Sequence, residues 1–175
     1  LENLNLMCKN NLPLIGQIIE TTLDGNRQIS IEKRNHDLRN TLEKAISSNK
    51  EISSLRKVLI EVEAPKPIIV PHDNLQFGRV INNLIKNAIE AASDSTKPKK
   101  VKVTLAEKNE LSIQLVIEDS GNGISGPTDR IFRAFRTSKI RGTGLGLLIS
   151  KKIVEAHEGS ISASNLSTLG GARME

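Results

Sequence analysis

The stretch NLQFGRVINNLIKNAIEAAS, residues 74 to 93, constrains the fold of this chain more than any other. At about 100° per residue, a helix here places Phe77, Val80, Ile81, Leu84, Ile85, Ala88 and Ala92 on one face. A face of that width must be buried against a second layer. The opposite stripe is Gln76, Arg79, Asn83, Asn87 and Glu90. A plain solvent face more often carries Lys and Glu, which form helices better than Asn. Asn83 and Asn87 lie one turn apart, so two amide oxygens point the same way. Such oxygens suit a hard cation like Mg²⁺, which takes its remaining ligands from water and phosphates. The alternative is two ordinary surface asparagines.

The second layer is legible downstream. VKVTLAEKNELSIQLVIED (101 to 119) alternates and reads as a β-hairpin with EKNE at its turn. Leu111, Ile113, Leu115, Ile117 and Asp119 all point to one face of it, so the aspartate ends the buried side. An unpaired buried carboxylate costs several kcal/mol. Asp119 therefore needs a donor, either the backbone or an arginine, or a ligand amino group such as that of adenine.

Other elements complete an α+β plan. Residues 1 to 23 carry a helical stripe of Leu4, Cys8, Leu12, Ile15, Ile19 and Leu23, with Pro13 as an interruption and LDGN as a stop. ISIEK is extended, and a helix follows from Asp37, its cap, to Ser47. ISSLRKVLIEVEAP reads as a strand ended by Pro65 and Pro67. A helix from Leu145 to His157 stops at Gly159, and ISASN and ARME are the final strands. The expectation is a two-layer α/β sandwich, a mixed sheet with helices on one face.

Bulk properties remove several classes. No stretch of the 175 residues approaches the roughly 18 apolar residues of a membrane span. The lone cysteine forbids an internal disulfide and fits a reducing, cytoplasmic setting. With no Trp or Tyr and only 3 Phe, stacking on nucleic-acid bases has little to work with. The net charge of +5 is modest, and KPKK (97 to 100) reads as a solvated turn, so no nucleic-acid partner is expected.

DSGNGISG (119 to 126) has the G-x-G-x-x-G spacing of a dinucleotide turn in Gly121, Gly123 and Gly126. A dinucleotide fold places an acidic residue about 20 positions further on. Here Asp119 precedes the glycines, Pro127 follows them, and Lys139 and Arg141 stand where the acid belongs. The glycines are better explained as hinges that let the chain leave the strand. GTGLGL then opens a helix, where Gly142, Gly144 and Gly146 let backbone N–H groups approach an anion. Arg133, Arg136, Lys139 and Arg141 crowd the segment before it.

In this order the motifs resemble the catalytic ATP-binding domain of sensor histidine kinases, within the gyrase, chaperone, kinase and mismatch-repair ATPase superfamily with its Bergerat-type fold. INNLIKNAIEAA resembles the N box, DSGNGI the first glycine box, IFRAFRTSK the F box, and GTGLGLLISKKIVEAHEGSI the second glycine box with its helix. The resemblance runs from about Asp37 to the last residue. It implies that Asn87 ligates Mg²⁺ with Asn83 assisting, and that Asp119 takes the adenine amino group beside Gly121, Gly123 and Ile124. It implies triphosphate contacts from Gly142, Thr143, Gly144, Leu145 and Gly146, and a short lid that brings Lys139 and Arg141 near the phosphates. Water-splitting members of the superfamily carry a glutamate one turn before the metal asparagine, where this chain has Asn83. An amide cannot accept the water proton, so ATP is kept for transfer. A clamp-type ATPase or a non-catalytic nucleotide-sensing module are the alternatives.

By the same resemblance, residues 1 to 26 correspond to the second helix of a dimerisation hairpin with its linker, and 27 to 175 to the catalytic domain. The hairpin would carry the acceptor histidine, make the homodimer and pass phosphate to the receiver domain of a response regulator. Any membrane attachment would come from other parts of the protein. GGARME stops one strand short of the family pattern. His36, in RNHDLRNTL, mimics the phosphorylated box of the first hairpin helix but stands only about 50 residues before Asn87, which leaves no room for the second hairpin helix; His72 and His157 read as structural. The chain is therefore expected to bind Mg-ATP without labelling itself, which incubation with γ-labelled ATP tests. Acid-labile phosphate on the chain would make His36 the acceptor.

Overall fold

The structure is a computed structural model that describes residues 29–109, 112–133 and 144–175. The expected helix within residues 1 to 23, the hairpin turn at Glu110 and Leu111, and Lys139, Arg141, Gly142 and Thr143 lie outside the described residues. Strand β1 (Arg34–Asp37) leads into helices α1 (Leu38–Ser48) and α2 (Lys50–Leu55), then strands β2 (Leu59–Glu63) and β3 (Ile69–His72). Helix α3 (Asn74–Ser93) precedes strands β4 (Lys100–Asn109) and β5 (Ser112–Asp119). A 3-10 turn (Thr128–Phe132), helix α4 (Gly146–Ala156) and strands β6 (Ala163–Ser164) and β7 (Arg173–Met174) follow. The main sheet has the order β2-β4-β5-β7-β6, and β1 pairs with β3 in a separate ribbon. β2 runs parallel to β4 and the other pairs are antiparallel, so the sheet is mixed as expected.

Alternation along the hairpin assigns its faces. Val101 faces Asp119 across the ladder, Val103 faces Ile117 and Leu105 faces Leu115. These side chains meet Leu42 and Ala45 of α1, Ile81, Ile85 and Ile89 of α3, and Ile153 of α4 in one core. The other face carries Lys100 paired with Glu61 at 2.7 Å and Lys102 paired with Glu63 at 3.0 Å. Charges on one face and aliphatics on the other put all three long helices on one side.

Helix α3 is the centre of that core. Val80, Ile81, Leu84, Ile85 and Ile89 are buried, with Ala88 and Ala92. Each large aliphatic removed from water contributes about 1.5–3 kcal/mol, so this one helix face rivals the net stability of a whole domain. The expected stripe is present, with Ile89 added to it. Its start is fixed by Asp73, whose Oδ1 accepts from the N–H groups of Leu75 at 3.1 Å and Gln76 at 3.0 Å. Oδ2 takes the Glu32 N–H at 3.0 Å, and the Asp73 N–H donates to Nε2 of His157 at 3.0 Å. The cap therefore ties α3 to both the segment before β1 and the end of α4.

Three features differ from the sequence reading. ISSLRKVLIEVEAP is not strand throughout: residues 52–55 complete α2, and only Leu59–Glu63 is strand. Helix α2 closes with Val58 N–H donating to the Ser53 carbonyl and Lys57 N–H to that of Ser54, and Lys57 takes a φ of 55°. That is a Schellman closure with lysine where glycine is usual. Helix α4 closes the same way through Gly159 to Val154 and Glu158 to Glu155. There the left-handed residue is Glu158, φ 66°, not Gly159. Gly159 serves close approach instead, because a Cβ on it would stand 3.0 Å from Val154 Cγ1. The β1–β3 ribbon went unread because Pro71 breaks the strand pattern; in a two-stranded ribbon proline is tolerated.

Partial burial pushes the Asp73 carboxyl up, but the N–H groups of Gln76, Glu32 and Leu75, with His157 nearby, outweigh it and hold it below the usual carboxylate range. A depressed folded value stabilises above the unfolded value near 4 and is lost as pH falls through the folded value. Asp73→Ala should cost about 1–2 kcal/mol at pH 7. Asp73→Asn should keep part of the cap and flatten the acid limb. Denaturant titrations between pH 2 and 7 measure both.

Candidate active site

The end of β5, the loop after it and the start of α4 converge on α3. The first is the end of β5. Asp119 is 5% exposed and points to the buried face. Its Oδ1 accepts the N–H groups of Gly121 at 2.8 Å and Ala172 at 3.2 Å. Its own N–H donates to the Ala172 carbonyl at 3.0 Å, and its carbonyl accepts Ser167 Oγ at 2.9 Å. Burial pushes the carboxyl up, and the two N–H donors oppose that without cancelling it. Both donors serve Oδ1. Among the described residues both donors reach Oδ1 and none reaches Oδ2, so the backbone alternative raised by the sequence accounts for one oxygen only.

The glycines have separate reasons. A Cβ on Gly121 would stand 2.8 Å from the Ala91 carbonyl of α3. Gly123 and Gly126 adopt left-handed backbone, φ 75° and 79°. A Cβ on Gly171 would overlap Asp119 Oδ1 and its carbonyl, and would stand 2.6 Å from Gly121 N. The chain therefore passes Asp119 where only glycine fits. Ile124 is held by Asn165, 41 residues away.

Asn83 and Asn87 are half-buried on α3, not on a free solvent face. Asn83 Nδ2 donates to Ser150 Oγ of α4 at 3.0 Å, and Ser150 is 2% exposed. A Cβ on Gly146 would stand 2.6 Å from Asn83 Oδ1. Gly146 thus makes room for the asparagine, and with Gly144 (φ 67°) and Leu145 it sets the start of α4 beside α3. Phe132 closes the 3-10 turn with Lys151 Nζ 5.9 Å from its ring centroid. Ser150, Asn165, Ser167, Gly171 and Ala172 were missed by sequence reading. Only the short Gly-Gly turn hinted at any of them.

A helix with a polar asparagine stripe, a buried aspartate with glycine hinges, and a glycine-led helix form one constellation. The model of the family described as histidine kinase-, DNA gyrase B- and HSP90-like ATPases matches residues 72–175. This chain belongs to that family. Among its relatives, the sensor protein FixL of Bradyrhizobium diazoefficiens is 31% identical over 159 residues, covering 90% of this chain and 31% of FixL. The sensor protein kinase WalK of Staphylococcus aureus is 32% identical over 166 residues, covering 90% and 39%. The catalytic domain of histidine kinase ThkA superposes with a TM-score of 0.70 at 27% identity, covering 82% of this chain and 92% of that one. The chain thus spans well under half the length of these two sensor proteins, and its fold is that of histidine kinase ATP-binding domains.

In this domain the three histidines form one packed group around Phe77 at the start of α3, whereas the Asp119 loop meets the helix near its end, at Ala91. His36 lies on β1, its ring 5.5 Å from that of His72, and Phe77 stands 6.0 Å from His72 and 5.3 Å from His157. His72 is 3% exposed, with Nδ1 3.0 Å from the Val70 carbonyl and Nε2 3.1 Å from Thr41 Oγ1. Burial holds its pKa below the ordinary histidine value, the Val70 carbonyl opposing.

Glycine positions give a direct check on this geometry. Gly171→Ala should destabilise the domain by about 1–3 kcal/mol through overpacking. Gly78→Ala, inside α3 with its Cβ at an ordinary 3.7 Å from Thr41 Cγ2, should stabilise it by about 0.5–1 kcal/mol. Thermal unfolding of the two variants measures the contrast.

Proposed function

We propose that residues 27 to 175 bind Mg-ATP and, in the complete protein, donate its γ-phosphoryl group to a histidine on a dimerisation helix. Residues 1 to 26 would supply part of that hairpin, which makes the homodimer. An aspartate in the receiver domain of a response regulator would be the next acceptor. Among the described residues no helix is long and apolar enough to cross a membrane; any anchor would lie in other parts of the protein.

One observation carries the nucleotide reading: Asp119 is buried, its Oδ1 is saturated by two backbone N–H groups, and Oδ2 is left to accept from a ligand. A carboxylate prepared in this way accepts from an exocyclic amine such as the amino group of adenine. Asn83 and Asn87 offer hard amide oxygens on adjacent turns, a donor set that fits Mg²⁺ with phosphates completing the shell. Bound Mg²⁺ would supply charge neutralisation on the phosphates. Gly144, Leu145 and Gly146 open α4, whose first N–H groups suit an anion. Lys139, Arg141, Gly142 and Thr143 would complete the phosphate side. With Asn83 in place of a carboxylate that position offers no base for water, so the domain would orient the γ-phosphoryl group for transfer rather than hydrolyse it.

Titration calorimetry with ATP, with and without Mg²⁺ and with NAD as control, tests the reading. Mg-dependent ATP binding and no NAD binding are expected. Asp119→Asn should weaken ATP by about 10- to 100-fold, the value of one hydrogen bond to a charged group. Binding of NAD, or of neither nucleotide, would overturn the reading.

A further inference from the structure

We propose that Asn165 is a positioning residue for the base of the bound nucleotide, acting through the backbone of Ile124; this rests on the nucleotide reading above. Asn165 follows β6 directly and is exposed. Its Oδ1 accepts the Ile124 N–H at 2.7 Å, and its Nδ2 donates to the Ile124 carbonyl at 3.0 Å. One carboxamide thus makes the two-point exchange that a facing residue makes in an antiparallel ladder. The loop after Asp119 is braced as if by a strand, although no strand lies there.

The neighbouring residues are fitted to this contact. Gly123 is left-handed, and a Cβ on it would stand 2.8 Å from Asn165 Oδ1. At the other end of the loop, Ser167 Oγ holds the Asp119 carbonyl and the Ala172 N–H holds its carboxylate. The segment from 165 to 172 therefore grips both ends of the loop 119–124. Lys97 Nζ ties that segment in turn to the connection between α3 and β4 by donating to the Gly170 carbonyl at 2.7 Å.

Without the Asn165 amide, Ile124 loses both bonds, and Gly123 gives the freed loop wide conformational space. Ordering it again would be charged to nucleotide binding, because a site that is not preformed binds more weakly. Asn165 lies outside the core, so its effect falls on the ligand and not on the fold. An aspartate there keeps the acceptor for the Ile124 N–H but turns a carboxylate oxygen toward the Ile124 carbonyl.

The test uses the 175-residue chain with ATP, ADP and AMP, which share the base and differ in phosphates. Asn165→Ala should weaken all three by a similar factor, roughly tenfold, and Asn165→Asp by more. The unfolding midpoint without nucleotide should move by no more than about 2 °C. Amide exchange of Ile124 should be protected in the parent chain and faster by at least about tenfold in both variants. Unchanged affinity in Asn165→Ala, a loss confined to ATP, a large fall in the midpoint, or an unprotected Ile124 amide in the parent would overturn the proposal. A parent chain that binds none of the three nucleotides would overturn the nucleotide reading itself. The Ile124 exchange rate would still decide whether the clamp exists.

Discussion

A carboxylate at the buried end of a strand sets the terms for much of this molecule. Strand alternation puts Asp119 on the same face as Ile117 and opposite Val101, where water is excluded. Desolvation would protonate the group or unfold its surroundings unless donors were brought to it. Gly121 and Ala172 bring them, and each requires a chain path that a side chain would block. The close pass at Gly121 and the Gly-Gly turn before β7 follow from that one buried carboxylate, while Ser167 secures the main-chain carbonyl beside it.

The polar side of α3 is organised by a comparable constraint. Its aliphatic face is committed to the sheet, and Asn83 on the other side is turned toward α4. Gly146 lets α4 approach that stripe, and Ser150, one turn on, fixes the Asn83 amide. The same bond that orients the asparagine holds the two helices in register. Packing already depends on Asn83, so a substitution there loosens the contact between α3 and α4.

The sequence disclosed the parts governed by short-range periodicity. The α3 stripe, the β4–β5 alternation, the Asp37 cap and the end of α4 need only residues about two to four apart. Asp119 could be placed on the buried face because period-two alternation reaches the last residue of β5. The short helix α2 was hidden by its six-residue length and its apolar continuation into β2. Asn165, Ser167 and Ala172 were hidden for another reason. Their partners lie 41, 48 and 53 residues away, and a single chain carries no signal of that pairing.

That separation also has a consequence for the order of events during synthesis. Asp119 is added to the chain 53 residues before the Ala172 N–H that completes its coordination by the backbone. At about 5–20 residues per second, translation leaves an interval of roughly 3 to 10 s. Over that interval β5 has its hairpin partner β4 but not β7, and the carboxylate lacks one of its two backbone donors. The nascent domain passes through a stage in which its sheet is open along β5 and its charged centre is still hydrated. The site closes only with the arrival of β7.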